Sequence, residues 1–142
     1  MQGRILAVDY GKANIGLAHS DPLRLTVSPL PSLPNRGRKD FLRRMRELAG
    51  RLEAVELVLG MPFGMDGSRG DAAQAMEKVS RSLAGALGLP VSETDERLST
   101  VEAMEIWREM SPRQKKRYRT VDSLAAALIL ERRLEDHRTA GV

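Results

Sequence analysis

Carboxylates stand at the ends of several predicted elements of this chain. Asp9 follows the apolar run at 5–8, Asp95 and Glu96 end the last apolar segment, and Asp122 falls in the first turn of the last predicted helix. Ligands of open α/β sheets collect outside the carboxyl ends of the strands, so the first two positions face one crevice if their strands are parallel. Converging carboxylates are ligands for Mg²⁺ or Mn²⁺, and paired ions of this kind activate water for phosphodiester cleavage in many nucleases.

Each of these acids also has a purely structural interpretation. The helix dipole favours an acid such as Asp122 near a helix start, and Asp95 and Glu96 are placed to pair with Arg97 on the surface. Asp9 is harder to explain in this way, because a carboxylate at the end of a buried strand loses hydration and needs a partner or a metal. Arg97 either neutralises its acidic neighbours or stabilises charge in a transition state.

Cations are concentrated in two stretches of the sequence. The chain has 23 Lys and Arg against 19 Asp and Glu, a formal net charge of +4, and residues 35–46 hold six cations and one acid. Residues 113–119, predicted as a loop, hold five cations and no acid. Such clusters are typical of polyanion-binding surfaces, although a solvated basic face has the same composition. In the second stretch Tyr118 is a candidate for stacking on a base, and the candidate nucleic-acid contacts are Arg113, Lys115, Lys116, Arg117 and Arg119.

Glycine-rich turns follow two of the predicted strands. The turn at 11–16 has a glycine at each end, which allows a tight return into the next strand, and its candidate substrate contact is Lys12. In the second turn Ser68 and Arg69 are candidate phosphate contacts. Asp66 in the same turn is interpreted as a turn residue, because Asp-Gly pairs commonly mark turns.

Hydrophobic periodicity predicts an α/β fold with a mixed sheet and helices on both faces. Three strands close in sequence suggest a hairpin or a meander, and helices and strands then alternate. The predicted strands lie at 5–8, 15–20, 25–33, 55–62 and 89–97. The first predicted helix spans 40–53, and the third runs from a Ser99–Glu102 capping box to Met110. The second is capped by Ser68 or Asp71, and its buried face consists of Ala72, Met76, Val79, Leu83 and Leu87. The last is capped by Thr120, and its buried face consists of Val121, Leu124, Ala125 and Leu128.

Composition and length narrow the class of protein further. At 142 residues the chain fits a single domain spanning 1–142, and 42% of its residues are apolar. The absence of cysteine excludes disulfides, thiolate zinc sites and cysteine nucleophiles. No apolar run is long enough to span a membrane and no signal peptide is recognisable, so we expect a cytoplasmic protein without a membrane partner.

Four sequence blocks, taken together and in this order, resemble the YqgF/RuvX family of bacterial RNase H-like nucleases. Members of that family are described as Holliday-junction resolvases and as nucleases that mature the 5′ end of the small-subunit ribosomal RNA precursor. The blocks are AVDYGKANIGLAHSD (7–21), LVLGMPFGMDGSRG (57–70), TDERLST (94–100) and VDSLAAALILE (121–131).

This resemblance implies an RNase H-like fold with a five-stranded mixed sheet whose first three strands form a meander. It also implies a metal-dependent phosphodiesterase site in which Asp9, one of Asp95 and Glu96, and Asp122 hold the ions. One departure concerns the first turn, where the family often has Lys-Arg and this chain has Ala-Asn, with Lys12 one place earlier. The departure bears on substrate contacts from the turn and leaves the carboxylates intact.

Three classes of function stay open at this point. The first is an endonuclease dependent on Mg²⁺ or Mn²⁺, acting on ribosomal precursor RNA or on branched DNA. The branched-DNA version requires a homodimer with two sites, whereas the RNA version is compatible with a monomer. The second is a phosphotransferase of the actin and sugar-kinase type, against which the length counts, because those proteins close two such lobes over ATP. The third is an RNA-binding protein of ribosome assembly that keeps the fold without cleavage.

Overall fold

A computed structural model describes residues 3–61, 70–95 and 99–140. At residues 61, 95, 99–100 and 137–140 it describes the backbone alone. Within these ranges five strands form one sheet, accompanied by five helices. The strands are β1 (Arg4–Tyr10), β2 (Asn14–Ser20), β3 (Val27–Pro34), β4 (Ala54–Met61) and β5 (Val91–Asp95). The helices are α1 (Arg38–Leu52), α2 (Asp71–Leu87), α3 (Ser99–Glu109), α4 (Pro112–Tyr118) and α5 (Val121–Ala140).

The sheet is mixed and has the strand order β3-β2-β1-β4-β5. The first three strands form an antiparallel meander, and β4 and β5 run parallel to β1, with Val8 opposite Leu59 and Leu59 opposite Glu93. We call the edge at which β1, β4 and β5 end the carboxyl edge, and the edge at which they begin the amino edge. The predicted mixed sheet with a meander is confirmed.

Helices cover both faces of the sheet, as predicted. On one face Leu6 and Val8 of β1 pack with Phe41 of α1 and Leu83 of α2. On the other face the alternate residues of β1, such as Ala7, pack against α5. A third cluster joins α3 to the outer side of α5. The apolar run of β1 is therefore buried on both faces, which accounts for its lack of polar alternation.

Helix α5 lies between the sheet and α3. Its predicted stripe of Val121, Leu124, Ala125 and Leu128 is buried or half-buried, but residues 126, 127, 129 and 130 on the opposite side are buried as well. Alanines at 125–127 allow the helix to approach the sheet and α3 closely. No helix in the described ranges is both long and apolar enough to cross a membrane.

Of residues 113–119, which the sequence predicts as a loop, all but Arg119 lie in helix α4, and Arg119 is its C-cap. Ser111 caps this helix: its Oγ accepts a hydrogen bond from the Gln114 backbone N–H at 3.2 Å, while its own N–H donates to Gln114 Oε1 at 2.9 Å. Pro112 occupies the first turn, where its missing N–H costs nothing. The loop prediction is wrong because a helix of charged residues with one aromatic shows no apolar periodicity.

Helix α2 begins differently from the prediction. Its N-cap is Gly70, which offers no side-chain acceptor, and Asp71 is the first helical residue rather than the cap. Ser68, the other predicted cap, lies outside the described residues. Ala73 is buried and Ala72 is exposed, so the predicted apolar face begins one residue later than expected.

Candidate active site

Asp9 lies near the carboxyl end of β1, directly opposite Gly16 of β2. Side chains of a strand alternate between the faces of a sheet. Ala7 packs against α5, whereas Tyr10 packs on the other face with its ring centroid 4.7 Å from that of Phe41. The half-buried Asp9 therefore belongs to the α5 face.

Gly16 brings the first turn of α5 onto this part of the sheet. A Cβ atom at Gly16 would lie 2.0 Å from the carbonyl oxygen of Asp122 and 3.2 Å from its Cα. No side chain fits in that space, so the backbone of α5 rests directly on the backbone of β2. Opposite residues of an antiparallel pair have Cα atoms about 5 Å apart. The contact therefore brings Asp9 and Asp122 together from opposite ends of the chain.

Two hydroxyl groups hold Asp122 in position. Thr120 Oγ1 accepts a hydrogen bond from the Ser123 backbone N–H at 3.0 Å, which confirms the predicted cap. Ser123 is buried, and its Oγ donates to the Leu30 carbonyl oxygen at 2.5 Å, which ties α5 to β3. The half-buried Asp122 carboxylate itself makes no hydrogen bond or ion pair in the part of the chain that the structure describes.

The third predicted acid comes from the end of β5. Asp95 is opposite Met61 in the parallel ladder, so its backbone reaches the carboxyl edge, as predicted. Its side chain, and all of Glu96 and Arg97, lie outside the described residues. Among the residues that are described, no three acidic or histidine side chains are close enough together to hold a metal ion.

The turn between β1 and β2 is fixed by its glycine and by Asn35. The Gly11 N–H donates to the Asn14 carbonyl oxygen at 3.1 Å, and a Cβ at Gly11 would lie 2.5 Å from that oxygen. Asn35 Nδ2 donates to the Gly11 carbonyl oxygen at 2.8 Å. The predicted tight turn is confirmed and Lys12 is exposed on it, whereas the part played by Asn35 was missed, because nothing local in the sequence marks it.

The basic residues of α4 lie close in sequence to the start of α5. Arg113, Lys116, Arg117 and Arg119 are exposed, and Lys115 lies 5.6 Å from the centre of the Trp107 ring. Tyr118 is half-buried between the clusters on both sides of α5. Arg119 has φ of +71°, and the Thr120 N–H bonds to the Tyr118 carbonyl oxygen at 2.9 Å, so a tight, strained turn leads into the Asp122 helix.

The first basic stretch is divided between paired and exposed cations. Arg43 and Arg44 form ion pairs with Asp40 at 2.7 and 3.0 Å, and Arg43 also contacts Glu47 at 3.3 Å. The hydrogen bond from Arg43 lowers the pKa of the Asp40 carboxyl. The cations that precede them, at 36, 38 and 39, are exposed. Part of this stretch therefore serves the helix itself.

His19 is a half-buried residue of β2. It lies opposite Leu6, three ladder positions from Asp9, and its Nδ1 is 3.4 Å from Arg4 Nη1. Burial lowers the pKa of the imidazole, and the neighbouring Arg4 adds to that effect. Ser68, Arg69 and Asp66 of the second glycine-rich turn lie outside the described residues.

The sheet order, with α5 carrying an acid onto the end of the first strand, is that of the RNase H-like fold. A solved fowlpox virus resolvase with Holliday-junction DNA shares this fold, with a TM-score of 0.59, 14% identity, and coverage of 94% of this chain and 98% of that one. The chain belongs to the RuvX family, whose model, described as Holliday junction resolvase, matches residues 3–136.

Relatives of similar length are found in several bacteria, and each carries the name "Putative pre-16S rRNA nuclease". The relative from Streptomyces coelicolor is 37% identical over 141 residues, which cover 99% of this chain and 84% of that protein. The relative from Clavibacter michiganensis subsp. michiganensis is 40% identical, with coverages of 98% and 87%. The relative from Dictyoglomus thermophilum is 34% identical, with coverages of 93% and 95%.

Proposed function

We propose that this protein is a metal-dependent endonuclease that cleaves structured RNA during maturation of the 5′ end of the small-subunit ribosomal RNA precursor in the cytoplasm. The observation that carries the proposal is the backbone contact of Gly16, which lies opposite Asp9, with Asp122. This contact supports a site that uses acids from distant parts of the chain. The name shared by the relatives supports RNA as the substrate.

The donor set fits a hard divalent cation. Asp9 and Asp122 offer carboxylate oxygens, and the chain has no cysteine with which to favour a softer metal. Mg²⁺ or Mn²⁺ would be held by Asp9, Asp122 and one acid of the pair at 95 and 96. When bound, such an ion polarises the phosphate and lowers the pKa of an attacking water.

The chain's own residues supply orientation and binding. The backbone contact at Gly16 and the hydroxyls of Thr120 and Ser123 fix the backbone at position 122 before substrate arrives, which reduces the reorganisation needed at the moment of cleavage. Exposed cations of α4 then attract the phosphate backbone. Because these cations are close in sequence to Asp122, we expect this attraction to act near the site of cleavage.

For the third ligand we propose Glu96 rather than Asp95. Thr94 is opposite Gly60 in the ladder, and two residues earlier Ser92 donates to Glu56, which pairs with Arg133 of α5. Ser92 and Thr94 therefore share the α5 face with Asp9. In a continuously extended chain the side chains alternate with period two, and the position that follows 92 and 94 in this pattern of the sequence is Glu96. We expect Glu96→Gln to weaken Mn²⁺ binding strongly and Asp95→Asn to weaken it less; the reverse order would contradict the assignment.

A second candidate is cleavage of four-way DNA junctions. The description of the family model and the resolvase fold of a structural neighbour favour it. A two-fold junction needs two correctly spaced sites, so this version requires a homodimer. A protein that stays monomeric in the presence of junction DNA would contradict it.

Cleavage assays on matched substrates test the proposal. The protein, with Mg²⁺ or Mn²⁺, is incubated with precursor RNA, linear duplex and four-way junction at several salt concentrations. We expect metal-dependent cleavage of the RNA, its loss in Asp9→Asn, and its retention in Asp136→Asn, which removes an exposed acid far along α5. Cleavage that survives Asp9→Asn undiminished would overturn the site, and RNA binding without cleavage under any metal would favour the non-cleaving assembly protein.

A further inference from the structure

A cleft lies near the carboxyl end of β1, on the face of the sheet opposite α5. It has a volume of about 380 Å³ and lies between the end of β1 and the first turns of α1 and α2. This volume is within the range of about 300–1,000 Å³ that is typical of ligand sites. Its lining residues come from all three elements: Tyr10, Arg38, Asp71, Gln74, Ala75, Lys78 and Val79.

The lining has the chemistry of a nucleotide-binding surface. Arg38 and Lys78 bring two cations from separate helices, Gln74 brings an amide, and Tyr10 brings an aromatic ring. Asp71 is the carboxylate of this lining. Within the residues that the structure describes, neither cation of the cleft forms an ion pair, in contrast to Arg43, which is held between two acids.

The cleft and the candidate active site lie on opposite faces of the sheet at the same end of β1. Asp9 and Tyr10 are consecutive residues whose side chains lie on opposite faces of the sheet. A nucleic-acid strand bound at Asp9 reaches the cleft by crossing the end of β1. The edge contact with the buried Phe41 fixes the orientation of the Tyr10 ring.

We infer that this cleft binds the single-stranded continuation of the nucleic-acid substrate, next to the bond that is cleaved at Asp9. This inference rests on the proposed function for its statement of which bond is cleaved. Arg38 and Lys78 contact phosphates of the continuing strand, and Tyr10 and Gln74 contact an unpaired base. Base stacking on an aromatic ring combined with cations along the backbone is the usual way in which proteins hold single strands.

The test measures binding in the non-cleaving Asp9→Asn background. Fluorescent RNA duplexes with and without a single-stranded extension are titrated at several salt concentrations in the presence of Mg²⁺. We expect the extension to strengthen binding, and Arg38→Gln with Lys78→Gln to abolish that gain. A plot of the logarithm of the association constant against the logarithm of the salt concentration has a negative slope. The double variant should make this slope less steep by about 1.4, since each single-strand phosphate contact contributes about 0.7.

A control variant and a variant of opposite expected effect test whether the cations of the cleft are responsible. Arg51→Gln with Arg108→Gln removes two exposed cations elsewhere, one in the last turn of α1 and one in the last turn of α3, and should keep the gain from the extension. Asp71→Asn removes the carboxylate of the cleft and should strengthen binding of the extended RNA. Unfolding temperatures of all variants verify that the changes act on binding rather than on folding.

The outcomes separate the cleft from the active site. Equal binding of extended RNA by the double variant and its parent, with an unchanged salt slope, would overturn the cleft and leave the proposed cleavage intact. The wild-type protein could instead cleave no substrate while the extension still strengthens binding through the cleft. That result would overturn the proposed function and support only the binding of a single strand in the cleft. An extension that adds no affinity to the parent protein would also overturn the cleft.

Discussion

Glu56 at the amino edge of the sheet and Asp122 at the carboxyl edge are held in opposite ways. At the amino edge, Glu56 contacts Arg133 at 3.1 Å and Arg24 at 3.9 Å, and Ser92 donates to it at 3.2 Å. At the carboxyl edge, Asp122 is held by its backbone, and its carboxylate has no partner among the residues that the structure describes. Both side chains belong to half-buried residues.

This difference separates a charge that serves the fold from one that is available to a ligand. Removing a carboxylate from water costs free energy that a partner must offset. Arg24, Arg133 and Ser92 provide this compensation for Glu56 within the protein. For Asp122 the structure fixes position through the contact at Gly16, while the carboxylate oxygens are left for groups outside the described fold.

The largest expected effect is on catalysis at the carboxyl edge. Asp122→Asn should lower kcat/KM for metal-dependent cleavage by at least about 100-fold, because it removes the charge of an ion-holding ligand. The free energy of unfolding should change by less than about 1 kcal/mol, since only the interaction with the helix dipole is lost. Steady-state kinetics measures kcat/KM, and urea unfolding measures the free energy of unfolding. Normal activity of Asp122→Asn would contradict the contrast between a catalytic Asp122 and a structural Glu56.

Gly16→Ala tests the backbone contact that positions Asp122. Its Cβ would overlap the Asp122 carbonyl oxygen, so α5 must shift, and we expect a loss of about 3 kcal/mol in the free energy of unfolding together with a loss of cleavage. Gly85→Ala is the matched control, because a Cβ there meets nothing within 4 Å. It lies inside α2 and should stabilise the protein by about 0.5–1 kcal/mol. Equal stability of the two variants would contradict the close approach.

Glu56→Gln is the counterpart at the amino edge. It leaves Arg24 and Arg133 without their shared carboxylate, and we expect a loss of about 2 kcal/mol, reduced from the cost of breaking a fully buried pair by partial exposure. Cleavage per folded molecule should be unchanged. Chemical unfolding and active-site-normalised kinetics measure the two quantities, and a catalytic defect in this variant would contradict the assignment of Glu56 to the fold.

The smallest effect concerns the pH dependence of stability at the amino edge. Burial lowers the pKa of His19 in the folded state, so the unfolded chain binds a proton first as pH falls. The contribution of His19 to stability is therefore fully present above its ordinary pKa of about 6.5 and is lost as pH falls below it. His19→Gln should flatten this part of the stability curve, and an unchanged curve would contradict the effect.

The elements that carry the site could be predicted from local sequence patterns. The apolar run before Asp9, the turn at Gly11 and the Thr120 cap are all signals confined to a few residues, and the structure confirms them. Helix α4 was missed, because its charged residues hide its periodicity, although Ser111 and Gln114 form a recognisable capping box. The apolar face of α2 begins at Ala73 rather than at Ala72 for a similar reason, since alanine marks a buried face weakly.

The assembly of the site depends on contacts that local patterns do not encode. Gly16 was interpreted as a turn residue, whereas in the structure it is the point at which α5 meets β2, more than one hundred residues away in sequence. Asn35, which fixes the first turn, is likewise distant from it. The cleft at Tyr10 joins three separate elements, and its cations belong to two helices. Such features follow from the arrangement of elements and became visible only in the structure.

Binding of Mn²⁺ to the intact protein tests the central claim most directly. Electron paramagnetic resonance titration follows free and bound ion without requiring substrate or cleavage. We predict that the wild-type protein and Asp136→Asn bind Mn²⁺, and that Asp9→Asn and Asp122→Asn each weaken binding at least tenfold, because both carboxylates hold the same ion. Full Mn²⁺ affinity in both Asp9→Asn and Asp122→Asn would contradict the account.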